Sequence, residues 1–280
     1  MLIFCFICSH KPGIGGESQM PEKDQPLAGG NVSHVSRSGN TVRREQKPNS
    51  TAIHALLKHL EQNGYEYAPK YLGIDDRGRE ILSYIEGEAG NYPLKNYMRS
   101  DSNLRDIAKM LRLYHEAVSD FPFDDSWQPL DCTPRQPEVI CHNDFAVYNI
   151  IFQNGQPKGI IDFDMAAPGP RLWDIAYTMY TCVPLSRFQL AETGEKVHYD
   201  PVLDAGRIKK RLALFLESYG TDVQGDHIGM VLLRLQGLCT TIKRKACEGN
   251  PAFRKMIDEG HLIHYQKDMA FISEHRPDWT

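Results

Sequence analysis

Two side chains that can hold a hard cation, one amide and one carboxylate, stand close to a second carboxylate in the middle of the sequence. Asp144 precedes Asn149 by five positions, and Asp162 follows beyond an Asn154-Gly155 pair. Carboxylate and amide oxygens are the ligands that Mg²⁺ prefers in proteins. The three residues therefore predict a site that is built around a divalent cation, provided that the chain brings them together.

An Asn-Gly pair between two apolar runs is a strong signal of a β-hairpin, which would bring them together. A loop of Asn154 and Gly155 gives the cross-strand pairs Gln153–Gln156, Phe152–Pro157, Ile151–Lys158, Ile150–Gly159 and Asn149–Ile160. Because side chains alternate between the two faces of a strand, Asn149 and Asp162 become diagonal neighbours on one face, roughly 7–8 Å apart at the backbone. At that separation both can reach one Mg²⁺ ion.

Each of these residues has a common structural role when it stands alone. An Asn at the start of a strand usually forms a turn, and an Asp at the end of a strand usually caps a helix. His142, two positions before Asp144, would more often be a hydrogen-bonded structural residue than a base. Their collection on one hairpin with apolar strands favours a functional site.

The segment from His142 to Asn149 fits the pattern His-x-Asp-x-x-x-x-Asn, and Ile161-Asp162-Phe163-Asp164 follows, with 18 positions between Asp144 and Asp162. This pattern resembles the aminoglycoside phosphotransferase-like family of small-molecule kinases, whose fold is related to that of protein kinases. Gly169 and the run Trp173-Asp174-Ile175-Ala176 are similar to a further segment of that family. The resemblance implies an α+β bilobal fold, with a small antiparallel β-sheet and one helix in the N-lobe and a larger, mainly helical C-lobe.

The same resemblance implies a role for each residue of the centre. Asp144 would orient and deprotonate the acceptor hydroxyl, while Asn149 and Asp162 would hold Mg²⁺ against the nucleotide phosphates. The residues expected to support the site are His142, which braces the catalytic loop, Asp164, an auxiliary ligand or a loop contact, and Asp174, a buried scaffold residue.

In the N-lobe the resemblance implies a nucleotide site. Gly29 and Gly30 would form the glycine loop over the phosphates, and Arg44 would stand where the family has a phosphate-binding Lys. The backbone groups of Ser83 and Ile85 would bind adenine at the hinge. An Arg is not equivalent to a Lys at such a position, because it binds phosphate through a planar fork.

The helix after this strand departs from the family pattern. His54 lies on its inner side, and its only acid, Glu61, stands near its end. The usual ion pair between the phosphate-binding cation and a helix Glu is therefore not expected. An exposed Arg pair on a solvated strand edge is the alternative interpretation of Arg43 and Arg44.

The elements around the site follow from hydrophobic spacing and turn residues. They predict three regions: a flexible extension over 1–22, a β-rich N-lobe over 23–87, and a helical C-lobe over 88–280 with its catalytic hairpin at 139–164. The helices predicted from the pattern are Ser50–Gly64, one of about four turns around Leu104–Val118, Leu203–Tyr219, Gly225–Cys247 and Pro251–Ser273.

Composition excludes several classes of protein. The chain has 280 residues, 41% of them hydrophobic and 24% charged, and a net charge of −4. A chain with this net charge lacks the broad positive field that attracts nucleic acid or an anionic membrane. No apolar run reaches the ~20 residues of a membrane span. The seven scattered cysteines do not form a disulfide framework, and Cys5 and Cys8 have no second ligand pair for zinc. We expect a cytoplasmic monomer or homodimer, with Met20 as a candidate start.

These observations favour a small-molecule kinase that transfers a phosphoryl group from ATP or GTP to a hydroxyl of a metabolite or antibiotic, amine-bearing acceptors included. Only 12 positions separate Asp162 from Asp174, which leaves no room for a long activation segment of a regulated protein kinase. Two alternatives stay open. One is a kinase-like protein that binds a ligand or partner without catalysis. The other, based on Ile160–Asp164, is a phosphatase like the haloacid dehalogenases.

Overall fold

The computed structural model describes residues 25–26 and 35–280. The predicted glycine loop at Gly29 and Gly30, the Cys5–Cys8 pair and the candidate start at Met20 lie outside the described residues. None of the helices in the described part of the chain is both long enough and apolar enough to cross a membrane.

The N-terminal part is an antiparallel sheet with one helix. Its elements in chain order are β1 (Gln25–Pro26), β2 (Val35–Ser38), β3 (Thr41–Arg44), α1 (Ser50–Gln62), β4 (Tyr71–Ile74) and β5 (Glu80–Ser83). The strand order in space is β1-β2-β3-β5-β4. The two-residue turn Gly39-Asn40 joins β2 to β3, and Gly39 has the positive φ of 58° that such a turn requires.

Helix α1 forms where the apolar residues recur every three or four positions. Ile53, Leu56, Leu57 and Leu60 are buried on one side of the helix, as their spacing predicts. Gly64, with a φ of 72°, follows the end of the helix in the left-handed conformation that favours glycine. The helix therefore attaches the small sheet to the larger part of the molecule along one apolar stripe.

The C-terminal part is mainly helical, with short strands between the helices. Its elements are β6 (Glu88–Ala89), α2 (Asp101–Ala117), β7 (Val139–Cys141), β8 (Ile150–Gln153), β9 (Gln156–Ile160), β10 (Ala167–Gly169), α3 (Arg171–Cys182), β11 (Phe188–Leu190), β12 (Lys196–His198), α4 (Pro201–Tyr219), α5 (His227–Cys247), α6 (Pro251–Asp258) and α7 (His261–Trp279). Its core includes the fully buried side chains of Tyr114, Phe145, Trp173 and Phe215. The predicted α+β bilobal architecture is thus confirmed.

The prediction of one continuous helix over Pro251–Ser273 was wrong. The segment forms two helices, α6 and α7, which are separated at Gly260. Gly260 has a φ of 81°, a left-handed conformation that no α-helix continues through. The glycine itself was the sequence signal, because a Gly within an apolar pattern often marks a helix end.

Candidate active site

The hairpin of β8 and β9 has the predicted loop but not the whole predicted register. Gln153 pairs with Gln156 and Phe152 with Pro157, as expected, but a β-bulge then leaves Lys158 unpaired, and Ile151 pairs with Gly159. The predicted pairs of Ile151 with Lys158, Ile150 with Gly159 and Asn149 with Ile160 were therefore wrong by one residue. Such a bulge shifts the strand past it by one position and reverses which face its side chains use.

A second local feature then sets the direction of Asp162. Its φ is 67°, a left-handed conformation that is costly for a residue with a side chain, and a 3₁₀ turn over Phe163–Met165 follows directly. The position of this carboxylate is thus fixed by a sharp turn at the strand end rather than by a regular diagonal pair. Backbone strain of this kind is concentrated at functional sites.

Asp144 is held by hydrogen bonds on both carboxylate oxygens. The hydroxyl of Tyr148 donates to Oδ1 at 2.5 Å, and Nδ2 of Asn149 donates to Oδ2 at 2.8 Å. Burial raises the pKa of Asp144 to about 6, although these two hydrogen bonds act to lower it. A carboxyl with a pKa near neutrality is suited to accept a proton from a hydroxyl group.

Asn149 and Asp162 each have a buried oxygen without a hydrogen bond. Oδ1 of Asn149 and Oδ1 of Asp162 accept no hydrogen bond from the described residues, and Nη1 of Arg44 lies 3.9 Å from Oδ1 of Asp162. Because an unpaired buried oxygen is costly, a cation at this place would satisfy both atoms. Two oxygen ligands completed by phosphates and water are a common arrangement for Mg²⁺, so these residues fit that ion. The described residues contain no group of three or more His, Cys, Asp or Glu side chains that could hold a metal ion by themselves.

The charges of the two Asp residues at the strand end are held differently. Burial first, and then the negative charge of Asp164, raise the pKa of Asp162 to about 7. The pKa of Asp164 is lowered, because the charges of Arg44 and Lys47 outweigh its burial. A bound divalent cation would stabilise the ionised form of Asp162 in the same way.

Arg44 lies at the centre of a buried ion-pair network that joins the two lobes. Its guanidinium hydrogen-bonds Glu80 through Nε, and its two terminal nitrogens bond Asp164 at 2.7 and 3.1 Å. The second oxygen of Glu80 lies 2.6 Å from Nε2 of His54. The interpretation of Arg44 as a solvated strand edge was wrong, because its side chain is only 6% exposed.

The acid that pairs with Arg44 comes from a strand instead of a helix. Glu80 on β5 is directly opposite Arg44 on β3 in the sheet register. Glu61, the only acid of α1, pairs with Lys70 at the surface. The predicted absence of a helix Glu partner was therefore correct, but the cation is paired all the same, and His54 completes the arrangement.

Lys47 and Asn49 extend this network to the far side of Asp164. Nζ of Lys47 contacts one carboxylate oxygen of Asp164, and Nδ2 of Asn49 donates to its backbone carbonyl at 2.9 Å. Both carboxylate oxygens of Asp164 are thus occupied by cations of the N-lobe. Of the two roles left open for Asp164, this geometry favours the contact that links the lobes.

Asp174 holds the backbone of the loop that leads into Asp144. Its carboxylate accepts hydrogen bonds from the backbone amides of His142 and Asn143 at 2.6 and 2.7 Å, and Nε2 of His115 lies 3.2 Å away. The ring of His142 packs against Phe163 with 4.5 Å between ring centroids. Burial lowers the pKa of His142 to about 4, so that it is neutral near pH 7. Both residues lie where scaffold residues of the loop were predicted.

Replacing Asp174 by asparagine is expected to lower the free energy of unfolding by about 2 kcal/mol at pH 7, since charge-assisted hydrogen bonds are lost. Although burial acts to raise the pKa of Asp174, the hydrogen bond and charge of His115, the charge of His142 and the amide of Asn143 lower it. Stability from such a group is complete above its unfolded pKa of about 3.9 and is lost as pH falls through the folded pKa. In denaturant unfolding, the difference in the free energy of unfolding between wild type and Asp174→Asn should be constant from pH 7 to 5. This difference should become smaller below about pH 4. The exposed Glu274→Gln is the control, and an equal loss in that variant would contradict the assignment.

A cleft between the sheet and the C-lobe leads to these residues. Its apolar walls include Val35, Val42, Leu82, Ile151 and Ile161, and the polar side chains of Arg44 and Asp162 also line it. The two predicted hinge residues, Ser83 and Ile85, also line it. The amide of Ser83 already donates to the carbonyl of Lys70 at 2.9 Å, whereas no hydrogen bond of the Ile85 backbone is found among the described residues. The cleft has the apolar walls and the polar side chains that a nucleotide base and its phosphates need.

Several residues of the site were missed by sequence reasoning. Tyr148 bonds both Asp144 and, at 3.0 Å, the hydroxyl of Tyr177, while Arg234 donates to the carbonyl of Asn143 at 2.6 Å. Tyr148 lies within the motif, so its position one residue before Asn149 was an available signal. Arg234 on α5 lies 91 positions from its partner, and its sequence neighbours give no indication of this contact.

Known proteins resemble this chain in sequence and in fold. The sequence model of the phosphotransferase enzyme family matches residues 124–207, which include Asp144, Asn149, Asp162 and Asp174. Over 153 residues the chain is 37% identical to the trifolitoxin immunity protein of Rhizobium leguminosarum bv. trifolii, a match that covers 51% of this chain and 55% of that protein. The chain thus spans about half the length of this curated relative.

Solved structures with the same fold include two antibiotic-modifying enzymes. Spectinomycin phosphotransferase, solved with ADP and spectinomycin, has a TM-score of 0.59 and 11% identity, with 92% of each chain covered. The GDP complex of aminoglycoside 2'-phosphotransferase-IIIa has a TM-score of 0.57 and 16% identity, with 90% of this chain and 93% of that chain covered. The resemblance predicted from the central motif is therefore confirmed: this chain matches the phosphotransferase enzyme family over residues 124–207 and has the kinase-like fold of the aminoglycoside phosphotransferases.

Proposed function

We propose that this protein transfers the terminal phosphoryl group of ATP or GTP to a hydroxyl of a small molecule. The observation that carries the proposal is the pair of buried oxygens on Asn149 and Asp162 that accept no hydrogen bond from the described residues. Asn149 also donates to the carboxylate of Asp144, whose charge acts on Asp162. Asp162 lines the apolar cleft, so the phosphates of a nucleotide in the cleft would lie near it. Positioning and charge neutralisation, which phosphoryl transfer needs most, are what this arrangement supplies.

Each residue then has a defined task. Asp144 orients the acceptor hydroxyl and accepts its proton, and Tyr148 keeps the carboxylate in place through its hydrogen bond. Asn149 and Asp162 would hold Mg²⁺, which when bound neutralises charge on the phosphates. Arg44 and Lys47 place two further positive charges on the nucleotide side, although both already contact Asp164. They serve first to fix the distance between the lobes.

The acceptor is a small molecule in this proposal. Asp162 and Asp174 are joined by a 3₁₀ turn, the strand β10 and the start of α3, without a long loop that could bind a protein substrate. The solved relative with ADP and spectinomycin shows that this fold can hold a small acceptor. A metabolite or an antibiotic, amine-bearing acceptors included, fits this description. All the named residues belong to one chain, so a monomer in the cytoplasm would suffice, as would a homodimer.

The two alternative functions stand differently. The turnover assay described below decides the non-catalytic interpretation, which rested on the departures at Arg44 and His54; both residues belong to one network with Glu80. The phosphatase interpretation leaves Asp144 and Asn149 without a role, and the kinase-like fold does not agree with it.

The test is a screen of hydroxyl-bearing metabolites and antibiotics with ATP or GTP labelled in the γ-phosphate. We expect transfer of label to one class of acceptor, dependent on Mg²⁺ and abolished when EDTA removes the cation. A thermal-shift measurement with the same nucleotides runs beside it. Stabilisation by MgATP or MgGTP without transfer to any compound of a complete metabolite extract would instead identify a binding protein.

A further inference from the structure

A second cavity lies in the C-terminal part, away from the cleft between the lobes. It has a volume of about 730 Å³ and lies between the segment before α2, the end of α3, the hairpin β11–β12 and helix α4. It has no lining residue in common with the nucleotide cleft. Its lining includes four cationic side chains, those of Arg99, Arg207, Lys210 and Arg211, and one carboxylate, Asp101.

Arg99 is a cation of this cavity that has no acidic partner among the described residues. Its terminal nitrogens donate to the side-chain oxygen of Gln189 at 2.9 Å and to the carbonyl of Leu190 at 2.6 Å, both neutral acceptors. Its Nε is buried and has no hydrogen-bond partner among the described residues. Burial lowers the pKa of Arg99, and the nearby positive charges of Arg207 and Arg211 lower it further. A half-buried guanidinium without a counter-charge is unfavourable unless a ligand supplies one.

The three neighbouring cations add positive charge to the cavity, and only Arg211 is neutralised by a carboxylate of the lining. Arg211, 8% exposed, pairs with Asp101 and donates to the carbonyl of Cys182 at 3.1 Å. Arg207 pairs with Asp204, which is not part of the lining, at 2.8 Å. Lys210 is exposed and forms no ion pair with any described residue. The cavity therefore carries a net positive charge.

We propose that this cavity is a binding site for a compact anionic group of a small molecule, a carboxylate or a phosphate. Each terminal nitrogen of Arg99 has a second N–H beside the one that bonds Gln189 or Leu190, and these N–H groups can donate to such a group, with Lys210 as a second positive charge in the lining. The hairpin β11–β12, which Arg99 holds through Gln189 and Leu190, forms the wall beside the group.

Helix α3 connects this cavity to the catalytic loop. Asp174, which supports the loop, stands near its start, and Cys182 at its end lines the cavity, about 12 Å further along the helix axis. A chain of aromatic contacts runs in parallel: Tyr148 bonds Tyr177, whose ring lies 6.3 Å from that of Tyr180 in the cavity wall. The anionic group can thus belong to the acceptor itself or to a separate small anion, and the two sources are distinguished below.

The binding test uses inorganic phosphate as the probe, on the full chain with its nucleotide cleft saturated by a non-hydrolysable MgATP analogue. Calorimetry should detect phosphate binding to wild type under these conditions. Arg99→Gln is expected to raise the dissociation constant at least about tenfold, and Lys210→Gln about threefold. Lys210→Gln keeps the result interpretable if Arg99→Gln loosens the hairpin, because the exposed side chain of Lys210 forms no ion pair or hydrogen bond with the described residues.

The matched control is Lys209→Gln, which removes the adjacent lysine of the same helix. Lys209 donates to the backbone carbonyl of Thr280 and does not line the cavity, so phosphate binding should be unchanged. Absence of phosphate binding to wild type, or equal weakening by Lys209→Gln and Lys210→Gln, would overturn the proposal.

The source of the anion is distinguished by kinetics once an acceptor is known. A raised KM for the acceptor in Lys210→Gln, with kcat and the KM for ATP unchanged, assigns the site to an acid group of the acceptor. Unchanged acceptor kinetics with weakened phosphate binding assigns it to a separate anion. This second stage rests on the proposed function, but the binding stage does not, so a failure of one is distinguishable from a failure of the other.

Discussion

Replacing Asp144 by asparagine is expected to lower kcat for the acceptor by a factor of about 10² to 10⁴, the usual contribution of a general base. The amide cannot accept the hydroxyl proton, although it has nearly the shape of the carboxylate. One of its ends would also present a nitrogen to a donor, because Tyr148 and Asn149 both donate to the carboxylate. The measurement is the initial rate of phosphoryl transfer, with nucleotide binding followed separately by calorimetry.

Two further variants define what the loss means. Asp144→Ala removes both the base and the hydrogen-bond acceptor, and it should be at least as slow as Asp144→Asn. Asp125→Asn makes the same chemical change at an exposed position and should keep the wild-type rate. If Asp144→Asn and Asp144→Ala both turn over at the wild-type rate, Asp144 is not the base, whatever the nucleotide affinity.

The central motif was predictable because its information is local. The spacing of Asp144, Asn149 and Asp162 and the Asn154-Gly155 turn all lie within about twenty residues, and a two-residue hairpin loop fixes the first cross-strand pairs. The register beyond these pairs was not predictable. The bulge at Lys158 inserts one extra residue into β9. Its free-energy cost depends on packing against the rest of the molecule, which the local residue types do not indicate.

The partner of Arg44 shows the other limit of sequence reasoning. Val42 and Arg44 alternate along β3 and both line the cleft, whereas Arg43 does not. The acid opposite it could not be identified, because Glu80 meets Arg44 only through the pairing of β3 with β5, 36 positions apart. The family pattern has this acid on the helix, but Glu61 of α1 pairs with Lys70. In this chain the same electrostatic requirement is met by a residue of the sheet.

Removing the cation of this network is expected to be strongly destabilising. Arg44→Met keeps most of the side-chain volume but leaves Glu80, which is 0% exposed, with His54 as its remaining partner. Breaking a buried ion pair from one side costs about 3–5 kcal/mol, because the remaining charge stays desolvated. Denaturant unfolding followed by circular dichroism should show a loss of this size in the free energy of unfolding.

The neighbouring residue provides the control for that loss. The side chain of Arg43 is 19% exposed, its nearest carboxylate oxygen, on Asp75, is 4.0 Å away, and Arg43→Met should cost less than about 1 kcal/mol. The double variant Arg44→Met/Glu80→Leu should recover much of the stability, since an apolar pair can replace a buried ion pair. It should not recover nucleotide binding, because the carboxylate of Asp164 then keeps Lys47 but loses Arg44, and the lobes lose their fixed distance. Equal losses for Arg43→Met and Arg44→Met, or a double variant as unstable as Arg44→Met, would show that the network does not hold the lobes together as a charge pair.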